Sequence, residues 1–277
     1  MTLLYWFQAM PAWLALAMLC AYFVAIGVLL TWIGRRVTAR MSLPNNPTAL
    51  GSAQSAIGTM TSILMGLVIV SLWADFRTAR GTVSAEAAEI RSLVREVSLL
   101  PPGSRDPLLV RLQQYVDAVV HEEWPAMASG GFANAAGRAL TRLGSTAFTT
   151  PRDTIDVRAR VNKLAELRAL RLGQTNSGIV PVLWFALLTI PIILIGSFAL
   201  AHDANPRFHY LLVGLVAVAV SLALFAALEI DLPYRGAASV SPAPIALAIR
   251  AAQSDYDIVL PRNDTGEELG GPSDGSP

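Results

Sequence analysis

The stretch LGSAQSAIGTMTSILMGLVIVSLW, residues 50–73, holds no charged side chain, and it runs without a break into ADFRTARGTVSAEAAEIRSLVREVSLL, residues 74–100. The first part is long enough to cross a hydrocarbon core, which takes about 20 mostly apolar residues. In the second part Val83, Ala87, Ile90, Val94 and Val97 recur at three- and four-residue steps, the period of a helix with one buried side. Together they predict a helix that spans a membrane and continues outside it as an amphipathic helix. Pro101-Pro102-Gly103 ends it.

Three further charge-free windows qualify as spans. One covers about 12–33, bracketed by Trp6, Trp13 and Trp32 as interface anchors. The others cover about 179–200, with Pro181 and Pro191, and about 210–228, ending before Glu229 and Asp231. The first is followed by Arg35 and Arg36 rather than a small-residue cleavage site, and so reads as a retained helix. The predicted class is an all-α integral membrane protein with four transmembrane helices and a helical extramembrane region between the second and third. Its parts are a first hairpin (12–74), the helical region (75–177), a second hairpin (178–230), a post-span segment (231–255) and a tail (256–277) read as disordered from its Gly, Pro, Ser and acidic content. Within 75–177, helices are expected from Pro107 to Trp124, from Gly131 or Asn134 to about Leu143, and from Pro151-Arg-Asp153 to Gly173. The last carries an apolar stripe of Val157, Val161, Leu164, Leu167 and Leu170.

Composition agrees with a bilayer setting, because 53% of the 277 residues are hydrophobic, 15% are charged and mean hydropathy is +0.49. A net charge of +1, with no long basic run, offers nucleic acid nothing to bind. The single Cys20 excludes an intrachain disulfide and a multi-cysteine metal site. His121, Glu122 and Glu123 lack the second histidine of a zinc helix, and no hydrolase elbow, phosphate loop or dinucleotide fingerprint is present. No catalytic residues, metal or cofactor are expected.

The candidate site lies in the second span. Ser52, Ser55, Thr59, Ser62 and Gly66 alternate three- and four-residue steps and form one stripe, with Gly51 and Gly58 beside it. Small residues and hydroxyls of this kind either let helices pack closely or line a wet path for ions. None of the four windows contains a carboxylate, histidine or basic group. That argues against a proton-coupled or charge-coupled pump and leaves a passive pore. Glu229 and Asp231 are candidates to hold a cation or pair with arginine; as helix-end charges they have a plainer reading as solvated groups.

Several elements in order resemble a known group: Asn45-Asn46, Trp73-Ala-Asp-Phe76, Glu86 with Glu89, Tyr115, and Glu122-Glu123-Trp124-Pro125. Further on stand Arg168, Arg171, Pro181 with Trp184, and Asp231-Leu-Pro-Tyr-Arg-Gly236 followed by Val240 and Pro242. Over roughly Trp13 to Ala252 the chain resembles the bestrophin-like bacterial membrane proteins, which are distantly similar to bestrophin anion channels. The resemblance implies a cyclic homo-oligomer with the second helix lining a central pore and the intervening helices forming a vestibule. Bestrophins follow a Pro-Phe turn with acids that help clasp calcium. Here Pro233-Tyr234 resembles the turn, but Ala237, Ala238 and Ser239 stand where acids would be, and pore aromatics are missing from Gly51 to Gly66.

The reading is an oligomeric passive ion channel or channel-like protein. The alternative is a membrane-anchored interaction module, or an accessory subunit, that binds a protein partner through its extramembrane helices. Arg35, Arg36 and Arg40 place the first connection in the cytoplasm, whereas the resemblance and the positive charges Arg77, Arg80, Lys163, Arg168 and Arg171 place the helical region and both termini there. The second arrangement is preferred, in the cell membrane.

Overall fold

The computed structural model describes residues 10–41, 47–149, 155–200 and 205–256, and these are helical throughout apart from short connections. The elements are α1 (Ala12–Met41), α2 (Pro47–Ser98), α3 (Pro102–Ala118), α4 (Trp124–Ser129), α5 (Ala135–Thr149), α6 (Ile155–Gly173), α7 (Pro181–Ala199), α8 (Pro206–Ile230) and α9 (Ala243–Tyr256). Four of them, α1, α2, α7 and α8, are long and apolar enough to cross a membrane. The chain divides into two compact units. One holds the residues up to Gly81, Met127–Gly130 and Arg171–Ser241; the other holds Thr82–Ala126, Gly131–Leu170 and the residues from Pro242 on.

In the first unit α1, α7 and α8 pack around Phe23, Leu187, Ile195, Val213 and Ala217, and α2 adds Met65, Val68 and Leu72. Lipid is as apolar as these side chains, so close fit and internal hydrogen bonds must hold the helices together. Glycines provide the fit. A Cβ on Gly27 would stand 2.9 Å from Val213 of α8, and one on Gly34 would stand 2.8 Å from the Ala199 carbonyl oxygen of α7. Hydrogen bonds add to it: Gln54 of α2 donates to the Ser197 carbonyl (2.9 Å), and the buried Ser221 hydroxyl lies 3.3 Å from the Leu19 carbonyl. Proline opens α7 and α8 at a position where its missing N–H costs nothing, and the Asn205 side chain accepts from Arg207 N to cap the latter.

In the second unit the end of α2 buries Val83, Ala87, Ile90, Val94 and Val97, all of the positions its periodicity marks. Polar pairs lock the helices. Tyr115 of α3 donates to the fully buried Glu86 of α2 at 2.6 Å, and Arg168 of α6 holds the buried Glu123. Arg160 of α6 is paired with both Glu89 and Glu96 of α2.

The structure differs from the sequence reading in five places. Pro101-Pro102-Gly103 does end α2, but it also starts α3, five residues before Pro107: Pro101 is extended (φ −57°, ψ 148°) and Pro102 takes the first-turn position. The run to Trp124 is interrupted, because Val119–Glu123 is a π-helical turn before α4. The following helix extends past Leu143 to Thr149. Finally, α9 was not expected at all, although Ile245, Ala248 and Ile249 are buried at helical spacing. Leu170 also departs from its stripe, being half exposed while Val157, Val161, Leu164 and Leu167 are buried. Asn45-Asn46, the opening at Pro151-Arg-Asp153 and the tail from residue 257 lie outside the described residues.

Gly34→Ala should force α1 away from the Ala199 carbonyl and cost about 1–3 kcal/mol. Gly51→Ala, with nothing within 4 Å, should be neutral or stabilising by up to about 1 kcal/mol. Thermal unfolding of the two variants in detergent compares them directly.

Candidate functional site

In α2, Ser52, Ser55, Thr59, Ser62 and Gly66 are all exposed. The opposite side of the helix does the packing, through the buried Thr61, Met65, Val68 and Leu72. Nothing lies within 4 Å of a Cβ placed on Gly66, and one on Gly58 would meet only Leu194, at 3.7 Å. Three of the four hydroxyls are satisfied along the helix itself: Ser52 donates to the Thr48 carbonyl (2.9 Å), Thr59 to the Ser55 carbonyl (2.8 Å) and Ser62 to the Gly58 carbonyl (2.9 Å). Beside this row runs an apolar one, with Met60, Ile63 and Leu67 between 58% and 71% exposed. Helix α2 thus carries two adjacent uncovered strips, one of hydroxyls and one of hydrocarbon.

Past Gly66 the uncovered row keeps its helical stepping. Trp73 is exposed and stacks on the buried Phe76 with ring centroids 5.8 Å apart, and the exposed Arg77 and Arg80 follow one and two turns later. Within the second unit α2 exposes Ser84, Ala88, Arg91 and Arg95 at the same spacing. Among the described residues the guanidiniums of Arg77, Arg80, Arg91 and Arg95 make no hydrogen bond or ion pair, in contrast to Arg160 and Arg168. Sequence reasoning took Arg77 and Arg80 as membrane-side charges only. The signal was present in their three- and four-residue steps from Trp73, but it needed the exposures to show that this side of the helix stays open.

Glu229 and Asp231 lie where α8 ends, and both turn toward backbone. Asp231 is buried, accepts from the Ile179 amide at 2.7 Å, and sits where a Cβ on Gly178 would be 3.2 Å from each carboxylate oxygen. Burial raises its pKa above the ordinary carboxylate value, while the Ile179 amide and the Trp184 side chain pull the other way. Glu229 accepts from Ala237 N at 3.2 Å, closing the turn in which Gly236 takes φ +75°. Tyr234 reaches Gln174 (3.3 Å). The buried Arg235 donates to the Met127 carbonyl (3.2 Å) over Gly130, whose φ is +80° and whose Cβ would stand 2.5 Å from the guanidinium. The motif Asp231-Leu-Pro-Tyr-Arg-Gly236 is therefore a knot tying the end of α8 to the start of α7 and to the Met127–Gly130 corner. It does not fit calcium. Both carboxylates are committed to amides, a fixed cation is buried in the segment, and no group of three or more His, Cys, Asp or Glu among the described residues is placed to hold a metal.

A family model described as a Bestrophin-like domain matches residues 21–245. A structure of a bacterial bestrophin homolog from Klebsiella pneumoniae aligns with a TM-score of 0.69 at 11% identity, covering 87% of this chain and 98% of that one. Two structures of that homolog with single substitutions align with the same TM-score at 12% identity, covering 86% and 87% of this chain and 98% of each of those. At such identities the likeness is one of fold. The search of curated proteins found no match.

Asp231→Ala should strand the Ile179 amide and lower stability by about 1–3 kcal/mol, whereas Asp231→Asn keeps an acceptor and should not. Because the folded state holds the Asp231 proton more tightly than the unfolded chain, its contribution is fully present below the ordinary carboxylate pKa and is lost as pH rises through the raised one. Thermal unfolding between about pH 4 and 7 should show that slope in the wild type and a flatter one in Asp231→Asn.

Proposed function

The chain belongs to the bestrophin-like family, and from that premise we propose that it is a passive ion channel, assembled as a cyclic homo-oligomer with α2 facing the axis. The observation that supports this is the double strip on α2. A single helix that leaves a hydroxyl row and an apolar row uncovered side by side suits a ring, in which the apolar row meets the neighbouring subunit and the hydroxyl row faces water. The open arginines further along favour anions as the permeant species, since among the described residues no acid pairs with them. The helical region and the termini lie on the cytoplasmic side in this reading.

A second reading keeps the spans as an anchor and uses the second unit to bind a protein. It is favoured by large apolar side chains exposed there, Phe132 at 71% and Phe148 at 57%.

Cysteine at Ser55, Thr59 or Ser62, in a background lacking Cys20, should react with small water-soluble thiol reagents in proteoliposomes, and the modification should change chloride flux. Cysteines at Met60 and Ile63, on the apolar row, should be protected by lipid or by the neighbouring subunit and serve as less reactive controls. Labelling of the hydroxyl row with no flux under any anion gradient would favour the anchored module and end the channel reading.

A further inference from the structure

We infer that Arg77 and Arg80 form a binding site for a polyvalent, phosphate-type anion, a proposal that rests on the axial placement of α2 given above. Three observations carry it. Both guanidiniums are exposed and, among the described residues, unpaired on the open row, one and two turns beyond Trp73. At a spacing of three residues their Cβ atoms stand about 5–6 Å apart, within reach of neighbouring phosphoryl groups of one anion. The acids of α2 all lie off this row. Asp75, two residues before Arg77, is on nearly the opposite side of the helix, Glu86 is buried against Tyr115, and Glu89 and Glu96 are held by Arg160. A merely solvated helix face mixes its signs, whereas this row holds no acid from Ser52 to Arg95.

Repeated around an axis, each pair becomes a ring of forked donors whose mutual repulsion only an anion relieves. Guanidinium binds phosphate oxygens in bidentate fashion, so a compact anion of several charges can engage more than one subunit at once, which chloride cannot. Bound there, such an anion stands in the proposed ion path and closes it. The chemistry is shared by free polyphosphates and by lipid headgroups; the uncovered row, if it faces the axis, is reached by the former.

The test uses inorganic tripolyphosphate and the full chain in phosphatidylcholine nanodiscs for calorimetric binding, with phosphatidylcholine proteoliposomes for chloride flux. Saturable binding is expected, weakened by about tenfold or more in the R77Q/R80Q double variant. R77K/R80K, which keeps the charge but not the fork, should also lose about tenfold in affinity while retaining its preference for chloride over sodium. R138Q/R142Q, altered on exposed arginines of α5, should bind as the wild type does and confirms that folding and bulk charge are not the cause. Equal affinity in R77Q/R80Q and wild type, or no saturable binding, would overturn the site. So would displacement of tripolyphosphate by phosphatidylglycerol in the discs, which would assign the arginines to the lipid surface. Arginine-dependent binding in a protein without chloride flux would sink the channel reading and leave the site standing; flux without binding would do the reverse.

Discussion

Backbone and hydroxyl groups at membrane depth need hydrogen bonds from the protein or from a water-filled path, and α2 supplies most of its own. Its amides run unbroken from Pro47 to Ser98, and Ser52, Thr59 and Ser62 return their protons to carbonyls four residues back. These three hydroxyls therefore need no neighbour from elsewhere in the chain. This leaves the packing of α1, α7 and α8 to rest on glycine contacts, on Gln54 and Ser221, and on the far side of α2. Had the serines and threonines needed partners, that row would have been drawn into the bundle.

The same economy governs the charged groups. Glu86, Glu123 and Asp231 are buried, and each has a specific partner: the Tyr115 hydroxyl, the Arg168 guanidinium and the Ile179 amide. Truncating one member of such a pair strands the other in a dry environment, so these positions tolerate little change. Several of them are also among the elements through which the sequence resembles its family. Locks between helices thus carry part of the likeness, beside elements such as Trp73 that lie on the open row.

Much of the fold was legible because the physics is periodic. Charge-free windows locate α1, α2, α7 and α8, and apolar residues at three- and four-residue steps locate the end of α2 and the course of α6. What was not legible depends on local exceptions. Pro102 starts a helix as readily as the same motif ends one, and the π turn at Val119–Glu123 leaves no trace in an apolar pattern that continues through it. The short helix α9 was hidden in a segment read for its motif instead of its period. At the site the hydroxyl row was evident from spacing, but the arginines beyond Trp73 were not, since a charge on an amphipathic helix is ordinary until the other side chains are known to leave it open. Asp231 was read as a candidate to hold a cation or pair with arginine, or more plainly as a solvated helix-end charge, and sequence could not distinguish either from a buried carboxylate that accepts from the Ile179 amide.

The way the hydroxyls are satisfied has a bearing on ion choice. A serine or threonine that has given its proton to a carbonyl of its own helix shows only oxygen lone pairs to the outside, a surface that solvates cations or donates nothing to an anion. For the row to help an anion, a hydroxyl must swing out and leave its carbonyl, a side-chain rotation of the picosecond-to-nanosecond class. The row at membrane depth is thus amphoteric, able to serve either sign by turning its side chains. In the proposed channel, discrimination between them would fall to the guanidiniums of Arg77, Arg80, Arg91 and Arg95, whose charge does not change with rotation, so that the charge filter and the hydroxyl-lined passage would be different parts of one helix.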